Sequence, residues 1–411
     1  MSISGKRRPV VSKGAVALLL LPALAVLSAC SSSASSASAS SGSGSGSGAA
    51  SSASAGAAAG LPANVQIPVI QNLTGDAGFA GLDTQQGQRV AIAQINSTHY
   101  LGNTTLSLKY TDTQSTPQLG AEAASSAVNS SAPLAFGPVG TPVSIAVAPI
   151  VQRGGLPTIF TSASGPGVNL GANTYTLSAP YQDVIIPTLG AYLKAKGIKS
   201  LGIMSNTDNP GATVPAQVLV NFANQNGIKT ISIGDLPSTT TDFTASAAKI
   251  AAAKPSAVYM LLFGTENVTA IRQLRADGYT GVIVGTASFG GGTLTPLGSV
   301  ANGIVYFTDY TAGLPGAVNK TFTALFAKMY GTASPPSDFA AEGYDAVWFG
   351  ARALKLADST NRTKVLAALQ SVAATGFQGA VGTVTFKDRI EQGPFLLVMW
   401  ENGKEMLIKI P

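Results

Sequence analysis

The chain has 411 residues, enough for two domains, with only 11% charged side chains and 46 glycines. Its formal charge of +6 is inflated at one end: Lys6, Arg7, Arg8 and Lys13 supply four of the positive charges and leave +2 for the rest. That balance excludes a nucleic-acid surface, and the single histidine (His99) and single cysteine (Cys30) exclude His/Cys zinc sites, Cys/His dyads and any intrachain disulfide.

Residues 1–30 run from a basic start through an apolar stretch, Ala15 to Leu27, to Leu27-Ser28-Ala29-Cys30. This order is that of a secretory signal, and the stretch is short for a bilayer span of about 20 residues. Its ending resembles the lipobox of bacterial lipoproteins, whose cysteine is lipidated and becomes the mature N-terminus. Residues 31–63 are mostly Ser, Gly and Ala, a composition that builds no core and behaves as a flexible tether.

From Val65 the pattern alternates strands with helices. Strands are expected at Val65–Asn72, Thr104–Thr111, Pro133–Phe136 and Leu156–Phe160. Helices are expected at Phe79–Ile95, from Thr116-Pro117 to Val128, and from Thr141-Pro142 to the Gly154-Gly155 pair. A Thr-Pro start suits a helix because Thr caps it and Pro has no N–H to leave unpaired. His99 reads as a surface residue at a helix end. A second series follows, with strands at Ser200–Met204, Thr230–Ile233, Ala257–Leu262, Val282–Val284 and Ile304–Phe307. Helices lie between them, at Ile185–Lys196, Val214–Asn226, Asp242–Ala253 and Thr265–Asp277. Helices at Val318–Tyr330, Ser337–Ala357 and Thr363–Val372 and short strands at Gly382–Phe386, Phe395–Trp400 and Met406–Ile410 end the chain. Alternation of this kind argues for an α/β architecture of mostly parallel sheets with helices on both faces. Two such series imply two similar lobes with a cleft between them.

The stretch Pro133–Pro166 brings two loops side by side at strand carboxyl ends, where open α/β sheets bind ligands. One loop carries a helix N-terminus with free N–H groups and partial positive charge; both carry hydroxyls, at Thr141 and at Ser162-Ala163-Ser164. That combination suits a small carboxylate. The competing reading is that these hydroxyls merely cap and turn the chain's own backbone. Catalysis is not expected: the lone histidine is far from the serine loops, Gly-x-Ser-x-Gly does not occur, and paired carboxylates are scarce. No cofactor and no metal are expected.

Leu73-Thr74-Gly75, AIAQIN at 91–96, Asp112 before Thr116-Pro117, Gly137-Pro138-Val139-Gly140-Thr141 and AVAPI at 146–150 form one ordered set. Gly155-Leu156-Pro157, Tyr344-Asp345-Ala346 and Gly379 with Gly382 and Phe386 continue it. In this order and spacing the chain resembles the type I periplasmic-binding-protein fold, specifically the branched-chain amino-acid (Leu/Ile/Val) receptors of ABC importers, over nearly all of residues 65–405. The resemblance implies two lobes joined by three crossovers, near Ala179, Asp309 and Gly382. The first lobe would be residues 64–179 with 310–381, the second 180–309 with 382–411. It implies a ligand carboxylate held by Thr141 and by Ser162, Ala163 and Ser164. Phe79, Tyr181 and Phe263 would line an apolar pocket or serve as plain core. The amino-acid receptors place an acid for the ammonium in the loop that here reads Gly285-Thr286-Ala287-Ser288, so Ala287 marks that position without a charge. The acid near the first crossover is Tyr181 by register, with Asp183 two residues on. An organic acid, aromatic acid, amide or peptide-like solute therefore stands beside an amino acid as the expected ligand. The implied protein is a monomeric solute receptor, lipid-anchored through Cys30 at the extracytoplasmic face of a bacterial membrane and partnered by an ABC permease. The alternative is a sensor that signals to a partner.

Overall fold

The computed structural model describes residues 60–409, apart from 179, 233–235 and 394. The signal segment, Cys30 and nearly all of the tether lie outside the described residues. Among those described, no helix is long and apolar enough to cross a membrane.

The first series is β1 (Asn64–Gln71), α1 (Gly78–Ser97), β2 (Thr105–Asp112), α2 (Pro117–Val128), β3 (Ala135–Val139), α3 (Thr141–Arg153), β4 (Thr158–Thr161) and β5 (Thr174–Leu177). Thr116 caps α2 as its sequence predicts, with Oγ1 accepting the Leu119 N–H at 3.4 Å. Two readings need correction. β3 runs through Gly137-Pro138 instead of stopping there, and its register with β4 shifts between Phe136 and Val139. β5 has no counterpart in the expected elements.

The second series is α4 (Ile186–Ala195), β6 (Ser200–Ser205), α5 (Pro210–Gln225), β7 (Lys229–Ser232), α6 (Thr244–Ala253), β8 (Ala257–Leu261), α7 (Thr265–Ala276), β9 (Val282–Gly285) and β10 (Val305–Thr308). Then come α8 (Ala317–Tyr330), α9 (Asp338–Ala357), α10 (Arg362–Thr375), β11 (Phe377–Gly379), β12 (Gly382–Val384), β13 (Phe386–Lys387), β14 (Ile390–Glu391), β15 (Leu396–Glu401) and β16 (Lys404–Ile408).

These strands form two seven-stranded sheets, ordered β13-β14-β5-β4-β3-β1-β2 and β16-β15-β10-β9-β8-β6-β7. The runs β5-β4-β3-β1-β2 and β10-β9-β8-β6-β7 are parallel and follow the same order, so each lobe is doubly wound, with a switch point beside its first strand. Helices cover both faces of each. On the first sheet, α1, α8, α9 and α10 pack one apolar cluster, while α2 and α3 pack another. On the second, α6 and α7 lie opposite α4 and α5.

The chain passes between the sheets three times: after β5, after β10 and after β14. The last passage lies between Glu391 and Leu396, not near Gly382. The cause is the β13–β14 hairpin, whose Ile390 pairs with Thr176 and extends the first sheet before the chain leaves it.

α1 and α9 cross at unusually close range. A Cβ on Gly87 would lie 1.7 Å from the Ala340 carbonyl oxygen, and one on Gly343 would lie 2.4 Å from that of Thr84. Only glycine permits this approach. The Ser337 hydroxyl, which caps α9, also donates to Asp83 of α1 at 2.7 Å. The first turn of α9 is thereby fixed against the cleft.

Candidate functional site

The carboxyl ends of both sheets face each other across a cleft. Its outer part, about 890 Å³, lies between the two switch points. Asn72, Phe79, Thr141 and Ser164 line it on one side, and Asn206, Asn209, Phe263 and Glu266 on the other. An inner chamber of about 140 Å³ continues from it, sharing Ser162, Ser164, Gly211, Phe263 and Phe339. Tyr181, Ala287, Asp309 and Glu342 also line the chamber. A separate hollow of about 420 Å³ runs along β1 from Asn64 to Ile70 and past Lys109 and Thr111 of β2, and shares no lining residue with the cleft.

The lobes come close at two glycines. A Cβ on Gly264, whose φ is +52°, would sit 3.2 Å from the Phe79 ring, and one on Gly211 would sit 3.6 Å from Thr141 Oγ1. Phe79 also meets Phe339 edge-on, with ring centroids 5.7 Å apart. Phe79 and Phe263 line the outer part and Tyr181 and Phe263 the chamber, while Tyr181 and Phe263 also pack against the second lobe's core.

Thr141 is not the cap of α3. Gly140 holds the cap position and Thr141 is the first helical residue. Its hydroxyl donates to the Ser164 carbonyl at 3.0 Å and accepts the Ser164 N–H at 3.2 Å. The side chain thus joins the two loops. Ser162 takes a left-handed conformation with φ of +45°, uncommon for a residue with a Cβ. This turn directs its hydroxyl to the Glu342 carboxylate. Ala163 points the other way, into the core behind α3 with Val143, Val147 and Phe160. Its side chain lines neither part of the cleft.

On the facing lobe, Tyr181 donates to Tyr259 at 2.9 Å, and burial pushes both phenols up. Ala287 opens a short helical turn, where Ser288 bonds Asn267 and the Leu262 carbonyl. That loop supplies no charge, as its sequence predicts. The side chain of Asp183 lies outside those described.

Sequence reasoning missed the acids. Asp309 follows β10, Asp338 opens α9, and Glu342 stands one turn later; all three are buried and line the chamber. One carboxyl oxygen from each lies within 4.8 Å of the others. Burial raises all three. Asp309 reaches about 6. Repulsion from Asp309 adds to the rise of Asp338 and Glu342. The available signal was the spacing of Asp338 and Glu342 on one face of a helix otherwise rich in Ala, Phe and Tyr.

Two motif residues prove structural. The buried Asp345 accepts the Ala380 and Val381 N–H groups at 2.7 and 3.1 Å. Burial pushes its carboxyl up to about 7, against the pull of these bonds. Asp112 accepts the Thr74 hydroxyl and the N–H groups of Leu73, Thr74 and Gln114. Burial opposes ionisation there, but these bonds outweigh it and hold the carboxyl below its ordinary range.

The sequence matches the periplasmic binding protein family model over residues 64–404. It is 23% identical over 348 residues to Leu/Ile/Val-binding protein homolog 3 of Brucella melitensis, covering 83% of this chain and 93% of that one. The fold resembles the branched-chain amino acid transporter substrate-binding protein LivJ of Streptococcus pneumoniae, solved with isoleucine, at 20% identity and a TM-score of 0.75. That match covers 84% of this chain and 99% of the other. It is equally similar, with a TM-score of 0.75 and 20% identity, to an R. palustris ABC-transporter solute-binding protein solved with benzoate, covering 84% of this chain and 95% of that one. With matching strand order, a cleft between carboxyl ends and a family match across most of its length, the chain belongs to the periplasmic binding protein family.

Proposed function

We propose that the protein is the extracytoplasmic solute receptor of an ABC importer, binding an amino acid or a related small carboxylate or amide between its lobes. It binds without converting its ligand. The observation that carries this reading is the paired loop at the start of α3, where Thr141 ties the helix N-terminus to Ser164 at the mouth of the chamber. Helix dipole and free N–H groups there favour a carboxylate, and Tyr181, Phe263 and Phe339 offer an apolar wall. The relatives solved with isoleucine and with benzoate share a carboxylate as their common group. Hinge motion at the three passages would close the lobes on the solute, and a permease would engage the closed form. The lipobox-like end at Cys30 and the tether behind it support anchorage to the outer membrane surface by acyl chains.

Isothermal titration of the purified protein with leucine, isoleucine, benzoate and the matching amides tests the reading. Saturable binding of a carboxylate, weaker for its amide, is expected. Absence of binding to every carboxylate in the panel would sink it.

A further inference from the structure

The helix N-terminus suits negative charge on a solute, yet the innermost wall of the same chamber is itself built of carboxyl groups. Asp309 and Asp338 are each 5% exposed and Glu342 3%. Asp309 Oδ1 and Asp338 Oδ1 have no hydrogen-bond partner, although both side chains line the chamber. Behind them Glu391 is fully buried with neither carboxyl oxygen bonded, and it repels Glu342. Among the described residues lining the chamber there is no Lys, Arg or His. Such groups are paired or neutralised in folded proteins, because an isolated buried carboxylate is costly.

We propose that Asp309, Asp338 and Glu342 form the receptor for a cationic nitrogen of the solute, an ammonium group. The proposal rests on the solute-receptor reading above and decides what that reading leaves open, between an amine-bearing zwitterion and a simple organic acid. An ammonium donating three bonds of about 2.8 Å places its acceptors about 4.6 Å apart, a span available to oxygens lying within 4.8 Å of one another. Ser162 links the two ends of the site: its loop adjoins the α3 N-terminus through Ser164, and its hydroxyl bonds Glu342. The nitrogen therefore sits beside the carboxylate, as in an α-amino acid. The charge lies near the passage after β10 and on α9, the first-lobe side, rather than in the uncharged loop after β9. Both ends of the zwitterion are then held before the aromatic wall of the second lobe closes on them.

The test is calorimetry on the purified protein with pairs differing only in the ammonium: leucine against 4-methylpentanoate, and other amino acids against their deaminated forms. Wild type should favour the amino acid by about 100-fold. Glu342→Gln and Asp309→Asn should each erase about 10-fold or more of that preference. Thermal unfolding without solute checks that the variants fold. Equal affinity for both members of each pair overturns the proposal while leaving the receptor reading intact. So does saturable binding of Ca²⁺, Mg²⁺ or Mn²⁺ alone to wild type but not to Glu342→Gln, which would make the cluster a metal site. If neither member of any pair binds, this proposal falls, and if benzoate fails to bind as well the receptor reading falls with it.

Discussion

The two lobes share one strand order, yet the faces they turn to the cleft differ in chemistry. The first contributes a helix N-terminus and, from α9 and the passage after β10, three buried carboxyls. The second contributes Tyr181, Tyr259, Phe263 and small residues, with Glu266 and Asp208 at its outer edge. There Glu266 is occupied by its own loop, accepting the Phe263 N–H at 3.0 Å and the Asn206 amide at 3.3 Å. A repeated scaffold thus carries an electrostatic half and an apolar half. Fold dictates where a ligand goes, and the residues at the strand ends dictate what it is.

The strongest way to break this asymmetry is to displace the acids. Gly87→Val forces a side chain into the Ala340 carbonyl and pushes α9 away from α1. It should cost about 3 kcal/mol or more, read by chemical denaturation, with solute binding lost at once. A mild effect would show that α9 tolerates displacement. The asymmetry also has a pH signature. Asp309 and Asp345 are raised to about 6 and about 7, so the folded chain holds protons that the unfolded chain has released. Between about pH 4 and pH 7 the folded form binds more protons, and stability of the unliganded protein should fall as pH rises. The slope is up to about 1.4 kcal/mol per pH unit for each such group. A flat profile from thermal melts across that window would contradict it, whereas an amine-bearing solute should flatten the slope.

Much of this architecture is legible from residue patterns, because alternation in strands and Thr-Pro helix starts are local signals; the Asn209-Pro210 start of α5 was missed, its expected helix beginning at Val214. Thr174–Leu177 escaped notice: its four residues follow a Gly- and Asn-rich turn and carry no apolar run to mark a strand. The adjoining loops at Thr141 and Ser164 were found through helix ends. The exact duty of Thr141 was not, since its partner Ser164 lies 23 residues away. The acids are the clearest case. Asp338 and Glu342 share a helix face that sequence exposes, but only packing brings Asp309 to them.

Smaller substitutions sharpen the comparison. Thr141→Val severs both bonds to Ser164 and should cost about 1 kcal/mol of stability with a similar loss in carboxylate affinity. Stability unchanged in urea titrations would mean the loops are held by other contacts. On the apolar side, Tyr181→Phe removes one hydroxyl pair with Tyr259 and should shift solute affinity by only about 0.5 kcal/mol. A larger loss by calorimetry would show that this phenol grips the ligand directly.

Asp309 sits at the end of β10, where the chain leaves one sheet for the other. If that carboxyl takes the solute's ammonium, as proposed, the group that recognises the solute and the strap that joins the lobes are one backbone segment, and solute binding and lobe posture need no relay between distant residues.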